Sequence, residues 1–447
     1  MITIKKGFDL SISGAPEQAV GEGPLPGSVA LLGPDYPDLQ AALAVAENDY
    51  VRVGQLLFED KKRPGVKFTA PAAGTVSSIQ WGAKKELLAV VIKVQGDESV
   101  PFASYMGRKI ERLSVAEVTE LLLESGLWTA LRTRPFSKTP LPGSEPHSIF
   151  VTAMDTNPLA PCVETVLHNY GAGFDQGLKI LKKLTRGPLF LCKAPGTVLS
   201  GSDLPEVSTR EFAGPHPAGL AGTHINFLDP VGMEKTVWSI GYQDVAAIGH
   251  LFSSGELLTQ RVISLAGPQV QQPRLLRARL GASIADLTEG ELKAGENRLI
   301  SGSILGGRLA QGALAYLGRF HNQVSVLREG RERKLFGWAL PGRAKFFVKP
   351  AFLSPLWPAK SFALTTAVNG SKRPLIPIGR FEKVMPLDTE PTFLLRALLL
   401  QDMEQAKALG CLGLDEEDLA LATFVDLCKN DFGPLLRQSL RRIEKKG

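Results

Sequence analysis

Two stretches near the C-terminus keep the spacing of a cluster-binding site and lack its ligands. A run C-x2-C-x2-C-x3-C-P holds an iron–sulfur cluster through four thiolates. Between Pro374 and Pro386 the four places fall on Leu375, Ile378, Phe381 and Met385, with Gly379 kept between them. A second run at the same spacing falls on Glu416, Leu419, Ala422 and Asp426. An apolar side chain offers iron no ligand, so these vacated places are expected to hold packed core and to bind no metal. The cysteines present, Cys162, Cys192, Cys411 and Cys428, form no C-x-x-C pair. Their scatter argues against a thiolate metal site and fits a reducing compartment.

Other chemistry is sparse. The histidines at 147, 168, 216, 224, 250 and 321 include no H-x-x-H or H-E-x-x-H pair. His216 and His224 flank a glycine-rich loop and are the two candidates to meet around a ligand; loop histidines more commonly cap turns or bond backbone. No G-x-S-x-G elbow and no Walker A run occurs, and the stretch Gly171 to Gly177 misses the dinucleotide fingerprint by one residue. The most suggestive surface runs from Trp128 to Lys138, where Arg132, Arg134 and Lys138 alternate around Pro135 and Phe136. Arginine beside aromatics suits a protein interface first. Pairing of those arginines with neighbouring acids ranks second. An apolar slot with donors for the carbonyls of a quinone ranks third.

Positioning these residues takes several domains. A chain of 447 residues with 44% hydrophobic and 21% charged residues is long enough for two to four folded domains. Its 45 glycines and 31 prolines favour β-rich modules with many turns over helical bundles. From about Val53 to Asp97 apolar and polar residues alternate between glycine turns, which predicts a small sandwich with a strand at Gln55–Asp60 and a turn at Lys61–Gly65. Between Leu113 and Gly255 helical and strand-like segments alternate: a helix over Val115–Leu123, a buried strand at Ile149–Met154, a helix over Leu178–Leu184 and a strand at Leu189–Cys192. That order predicts a parallel sheet of Rossmann type. β signals return from Gln260 to about Gly330, and Ser283 is placed to cap a short helix. Beyond Asp388 the pattern is helical, over Thr392–Leu400 and over Asp415–Val425, with Asp415 as N-cap and Asp418 three residues on.

The N-terminus has no signal-peptide stretch, and no segment reaches the roughly 18 uninterrupted apolar residues of a membrane span. The expectation is a soluble, cytoplasmic chain. A net charge of +6 is modest; its clearest cluster is Arg437, Arg441, Arg442, Lys445 and Lys446 on the terminal helix.

Several segments carry a resemblance. Ala70-Pro-Ala-Ala-Gly-Thr-Val76 resembles the strand of a biotinyl/lipoyl-type domain, although the Lys61-Lys-Arg-Pro-Gly65 hairpin departs from it and an attached prosthetic group is not expected. The 260–330 region resembles a β-grasp module of the SLBB kind. Phe58 to Lys62, Glu124 to Lys138, Val151 to Pro158, Gly214 to His224 and Met385 to Pro391 together resemble the A-subunit family of sodium-translocating NADH:quinone oxidoreductases (Na(+)-NQR), across essentially the whole chain. The C subunit of the Rnf complex and the NADH-binding subunit of complex I are its more distant cousins.

The resemblance implies a multidomain α/β and β chain. Residues 1–105 would hold a lipoyl/biotinyl-like barrel-sandwich, 106–257 a Rossmann-like domain with a degenerate flavin site, and 258–330 the SLBB module. Residues 331–447 would hold a β extension and a ferredoxin-like helical domain without Fe–S ligands. In the complex I cousin a Ser-Gly-Leu precedes a glycine-rich flavin loop; here Ser125-Gly-Leu127 is followed by Trp128-Thr-Ala-Leu-Arg-Thr-Arg-Pro135, whose bulk stands where the phosphate would lie. The same resemblance implies a peripheral subunit on the cytoplasmic face of the bacterial inner membrane, without catalytic residues or a cofactor of its own. NADH, flavins, Fe–S and ubiquinone would be handled by other subunits of the complex. Its partners would be those subunits and above all the membrane-embedded B subunit, with a ubiquinone contact open and no nucleic acid. Two rival readings stand: a free-standing flavin-dependent NADH oxidoreductase, and a soluble ligand-binding SLBB module.

Overall fold

The computed structural model describes residues 1–105, 110–168, 170–331, 361–368 and 370–446. The expected β extension falls largely on 332–360, outside the described residues.

Short strands, alternating in Gly74–Trp81 and Lys67–Thr69 and more continuously buried in Leu87–Val94, build the sandwich. One sheet runs Ser28–Leu32, Leu87–Val94, Gly74–Trp81 and Tyr50–Val51; the other runs Ala41–Leu43, Leu56–Asp60 and Lys67–Thr69. Val76, Val90 and Ile92 turn inward, and Phe58 stacks on Phe68 with ring centroids 4.6 Å apart. The strand and the turn expected at 55–65 are where the sequence put them, and Asp60 closes the turn by accepting from the Lys62 amide and the Arg63 guanidinium.

The second sheet is parallel at its centre because its strands are apolar on both faces. Its order is Ile2–Thr3, Val207–Ala213, Leu189–Lys193, Ile149–Ala153, Val237–Gly241 and Arg132–Arg134, the last antiparallel. Ile149, Val151, Leu189 and Leu191 pack toward helices Gly171–Lys182 and Tyr242–Ser254. Phe150, Phe190 and Phe212 face the other way, onto Ile225 of helix Ala221–Leu228. The chain runs from Ile149–Ala153 outward to Val207–Ala213, then crosses back to Val237–Gly241 on the opposite side. A crevice therefore opens where the carboxyl ends of those two central strands part.

The third sheet runs Arg308–Leu309, Asn297–Ser301, Gln323–Arg328, Gln260–Ala266, Arg274–Arg279 and Glu17–Glu22. Ser283 caps helix Ile284–Thr288 by accepting from the Asp286 amide. Two N-terminal segments thus leave the sandwich: Ile2–Thr3 extends the α/β sheet and Glu17–Glu22 the third sheet. No local pattern signals such long-range pairing.

The C-terminal helices Phe381–Val384, Pro391–Leu400, Met403–Ala408, Ala420–Val425 and Phe432–Lys446 enclose their own core around Leu394, Leu398, Leu419, Phe432 and Leu436. One expectation is corrected in form. Asp415–Val425 is not one helix: Glu416–Leu419 winds as a 3-10 turn before Ala420–Val425 becomes α-helical. Asp415 still caps it, and Asp418 closes the box on the Asp415 amide. The helix expected over Leu178–Leu184 begins earlier and spans Gly171–Lys182.

Candidate functional site

The vacated cluster places divide by position. Phe381 and Met385 are each 2% exposed, and Leu419 and Ala422 are buried beside them in the helical core. Leu375 packs on that core from its edge. Ile378 is 42% exposed, which corrects the expectation that every apolar replacement fills the interior. The two polar places are bound to protein: Glu416 holds the Arg437 guanidinium, and Asp426 accepts from the Cys428 and Asn430 amides and from the Asn430 side chain. None of the apolar residues could ligate iron, so the residues present do not fit a cluster. Among the described residues no group of three or more His, Cys, Asp or Glu is placed to hold a metal ion.

The Trp128–Lys138 segment is a docking element within the chain. Gly126 sits at φ 81°, where a Cβ would meet Thr69 Oγ1 at 2.6 Å, so only glycine turns here. The chain then tightens into a buried 3-10 turn, Leu127–Ala130, instead of opening into a phosphate loop. Trp128 is 1% exposed, donates from Nε1 to the Pro140 carbonyl and meets Trp238 edge-on at 5.4 Å. A flavin phosphate has no cradle of amides in that packing.

The cations beyond this turn all find acids. Arg132 donates to Asp415 Oδ2 at 2.5 Å, and Arg134 lies 3.1 Å from the same oxygen. Arg437 of the terminal helix closes on Asp415 Oδ1 at 2.6 Å and donates to the Phe136 carbonyl. Phe136 itself packs against the helical core, and Lys138 bridges Asp38 and Glu444. Burial alone would raise the Asp415 carboxyl; the guanidiniums of Arg134 and Arg132 overturn that and hold it well below the usual carboxylate range. The loop thus takes its acids from its own chain: Asp415 and Glu444 from the helical domain and Asp38 from the N-terminal region.

His216 and His224 are both buried. His216 Nδ1 pairs with Thr156 Oγ1, and His224 Nε2 bonds the Ala218 carbonyl while its ring packs on Phe212. Burial pushes them down to about 4 and about 3 respectively, so both are neutral at physiological pH. The His216 bond ties the 214–224 loop to Thr156, and the His224 bond closes the loop on itself. The Gly171–Gly177 glycines also have a packing role: Gly173 and Gly177 receive Gly249 and Val245 of the facing helix, since a Cβ on Gly177 would lie 2.0 Å from the Val245 carbonyl.

Sequence reasoning missed the acids' partners. Asp415 was legible as a cap, but its three arginines come from positions 132, 134 and 437, and nothing local links them. It also missed a cavity of about 150 Å³ at the strand crevice, lined by Thr152, Asp155, Tyr242, Arg132 and Phe320 among others.

Sandwich, doubly covered α/β sheet, third β sheet and C-terminal helical domain define a multidomain chain of mixed α/β and β architecture. Three family descriptions match it: the NqrA N-terminal barrel-sandwich hybrid domain over 2–95, the NqrA second alpha/beta domain over 113–257, and the NQRA C-terminal domain, of the SLBB type, over 262–312. The A subunit of the Na(+)-translocating NADH-quinone reductase of Yersinia pseudotuberculosis serotype I (strain IP32953) is 53% identical over 447 residues, covering 100% of both chains. The proteins of the same name from Histophilus somni (strain 129Pt) and Serratia proteamaculans (strain 568) are each 54% identical over 100% of both chains. The chain belongs to the family of Na(+)-translocating NADH-quinone reductase A subunits. Among solved structures, an NAD+-reducing [NiFe]-hydrogenase in the H2-reduced state aligns over 56% of this chain and 53% of its own, at a TM-score of 0.33 and 14% identity, too loosely to carry an argument.

Proposed function

We propose that this chain is a peripheral subunit of a Na(+)-translocating NADH:ubiquinone oxidoreductase, the complex that reduces ubiquinone with NADH electrons and exports sodium. Identity of 53% over the full length of relatives bearing that subunit name carries the reading. No helix among the described residues is long and apolar enough to cross a membrane, which suits a peripheral place. That place is the cytoplasmic face of the bacterial inner membrane, with the membrane-embedded B subunit as principal partner. The α/β domain is Rossmann-like with its flavin site filled, and the helical domain is a ferredoxin-like remnant.

The chain's own role is electron-silent: it supports the assembly and helps shape the quinone site. Apolar cluster places and the buried turn at Leu127–Ala130 favour this, because neither offers the ligands its cofactor needs. Purified chain expressed alone is expected to show no visible absorbance and to release no flavin in acid. Washed membranes are expected to retain the chain until detergent extracts the complex. A stoichiometric yellow or brown chromophore would return a redox centre to this chain, and release by salt washing alone would remove it from the complex.

A further inference from the structure

The groove between the third-sheet module and the terminal helix Phe432–Lys446 carries cations that the chain does not neutralise. It holds about 530 Å³, within the range of about 300–1,000 Å³ usual for ligand clefts. The 305–307 loop lines it on the sheet side, where Gly306 lies against the helical domain: a Cβ there would come to 3.8 Å from Ala420 and from Glu417. Gln438, Arg441, Arg442 and Lys445 line it from positions i, i+3, i+4 and i+7 of the helix, hence from one face. Leu436, Leu440 and Ile443 take the opposite, buried face.

The nearby acids are already taken. Glu416 holds the Arg437 guanidinium, and Asp38 is shared between Lys138 and Arg441. Arg441 lies 3.0 Å from Asp38 through Nε, which leaves its terminal nitrogens for a second acceptor. Arg442 and Lys445 are exposed and have no ion pair among the described residues. Asp431 is the remaining acid of the lining, and it stands about 16 Å before Arg442 along the helix axis. The Lys445 end of the groove therefore asks for an anion.

Spacing selects the form of that anion. From Arg441 or Arg442 to Lys445 is about 4.5–6 Å along the axis, and alternate side chains of an extended chain repeat at about 6.6 Å. The lining from Pro434 to Lys445 covers about 16 Å of helix, the length of about five extended residues. A flat bilayer face does not enter a concave groove. Residues 332–360 hold Glu332 as their one acid beside six basic residues, so that stretch does not supply the occupant. We propose that the groove docks an acidic segment of a partner protein, laid extended along the terminal helix with alternate carboxylates on Arg441, Arg442 and Lys445. Arginine clusters recognise acidic motifs by such charge-assisted pairs. The groove is complete in the isolated chain, so the docking is measurable apart from any complex.

The test is fluorescence anisotropy on the full chain with a short labelled peptide alternating Glu and Ser. Its controls are the same peptide with Gln for Glu and an isomer with its Glu residues in one block. The alternating peptide is expected to bind at least about tenfold more tightly than the Gln peptide, more tightly than the block isomer, and less well as salt rises. Arg442→Gln with Lys445→Gln is expected to weaken it about tenfold with an unchanged melting curve, since both side chains are exposed. Lys84→Gln with Lys85→Gln removes the same charge from the hairpin of the sandwich and is expected to leave binding as in the parent. Equal binding of either control peptide, or undiminished binding by the Arg442 and Lys445 variant, overturns the proposal. Equal loss in the Lys84 and Lys85 variant overturns it too, as general charge attraction. Capture by phosphatidylglycerol vesicles without peptide binding would replace the segment by a lipid surface, and inorganic phosphate bound without peptide would replace it by a small anion.

Discussion

Four consecutive acids, Asp415 to Asp418, have different fates because each meets different atoms. Asp415 is encircled by guanidiniums and stays charged. Asp418 is 7% exposed, uses Oδ2 to accept the Asp415 amide at 2.8 Å, and leaves Oδ1 without a partner. It abuts Gly222, where a Cβ would lie 2.2 Å from Oδ1. Burial pushes its carboxyl up to about 7, with Arg134 pulling down and Glu417 and Asp415 pushing up. The sign of the linkage follows. Between the ordinary value of 3.8 and about 7 the folded chain keeps a proton that the unfolded chain has released. Stability from this group is therefore greatest at the acid end of that window and declines as pH rises through about 7. Asp418→Asn, which can still accept the Asp415 amide, is expected to flatten the fall of the melting temperature across this range. Calorimetric scans at stepped pH measure it, and an unaltered slope would mean the proton sits elsewhere.

At the scale of elements, the glycines of Gly171–Gly177 decide how two helices meet. A Cβ on Gly249 would stand 1.8 Å from the Gly173 carbonyl oxygen, and both partners are backbone, so neither can swing aside. Gly249→Ala gains about 1 kcal/mol of helix propensity. It must also part the helices Gly171–Lys182 and Tyr242–Ser254, an overpacking that costs about 1–3 kcal/mol and often more where backbone is displaced. A net loss of stability is expected in chemical denaturation; a more stable variant would mean the helices separate freely. This contact also marks how far the sequence could be read. The periodicity of Val115–Glu124 and the apolar runs Ile149–Ala153 and Leu189–Lys193 placed those elements within a residue or two, because their burial is set locally by pattern. The glycine run was legible only as a near-miss phosphate loop, since its reason lies in a helix far along the chain. Ile378 shows the converse: its spacing marked a ligand place, but spacing carries no information on exposure.

For the whole molecule, the decisive contact joins the α/β domain to the C-terminal helices through Asp415. Arg134 is 1% exposed, and its guanidinium reaches Asp415, Glu417 and the Ser137 hydroxyl. Arg437, also buried, spans Asp415, Glu416 and the Phe136 carbonyl. This explains why the arginines at 132 and 134 could be singled out in sequence without their acid being named: a guanidinium advertises a need for an acid, and only the fold supplies which one. Asp415→Ala removes the shared acceptor and leaves Arg134 charged in a site closed to water. Breaking a buried pair in this way costs about 3–5 kcal/mol, because the remaining charge has no solvent to return to. The penalty should fall on the seam and not on the sandwich, whose core around Phe58, Phe68 and Ile92 makes no use of Asp415. Hydrogen exchange is therefore expected to quicken in the terminal helix Phe432–Lys446 while strand Leu87–Val94 keeps its protection. Equal loss in both would mean that the domains unfold as one unit. Unchanged exchange in the helix would mean that apolar packing of Phe136 and Leu305 on the helical core holds the seam without its charges.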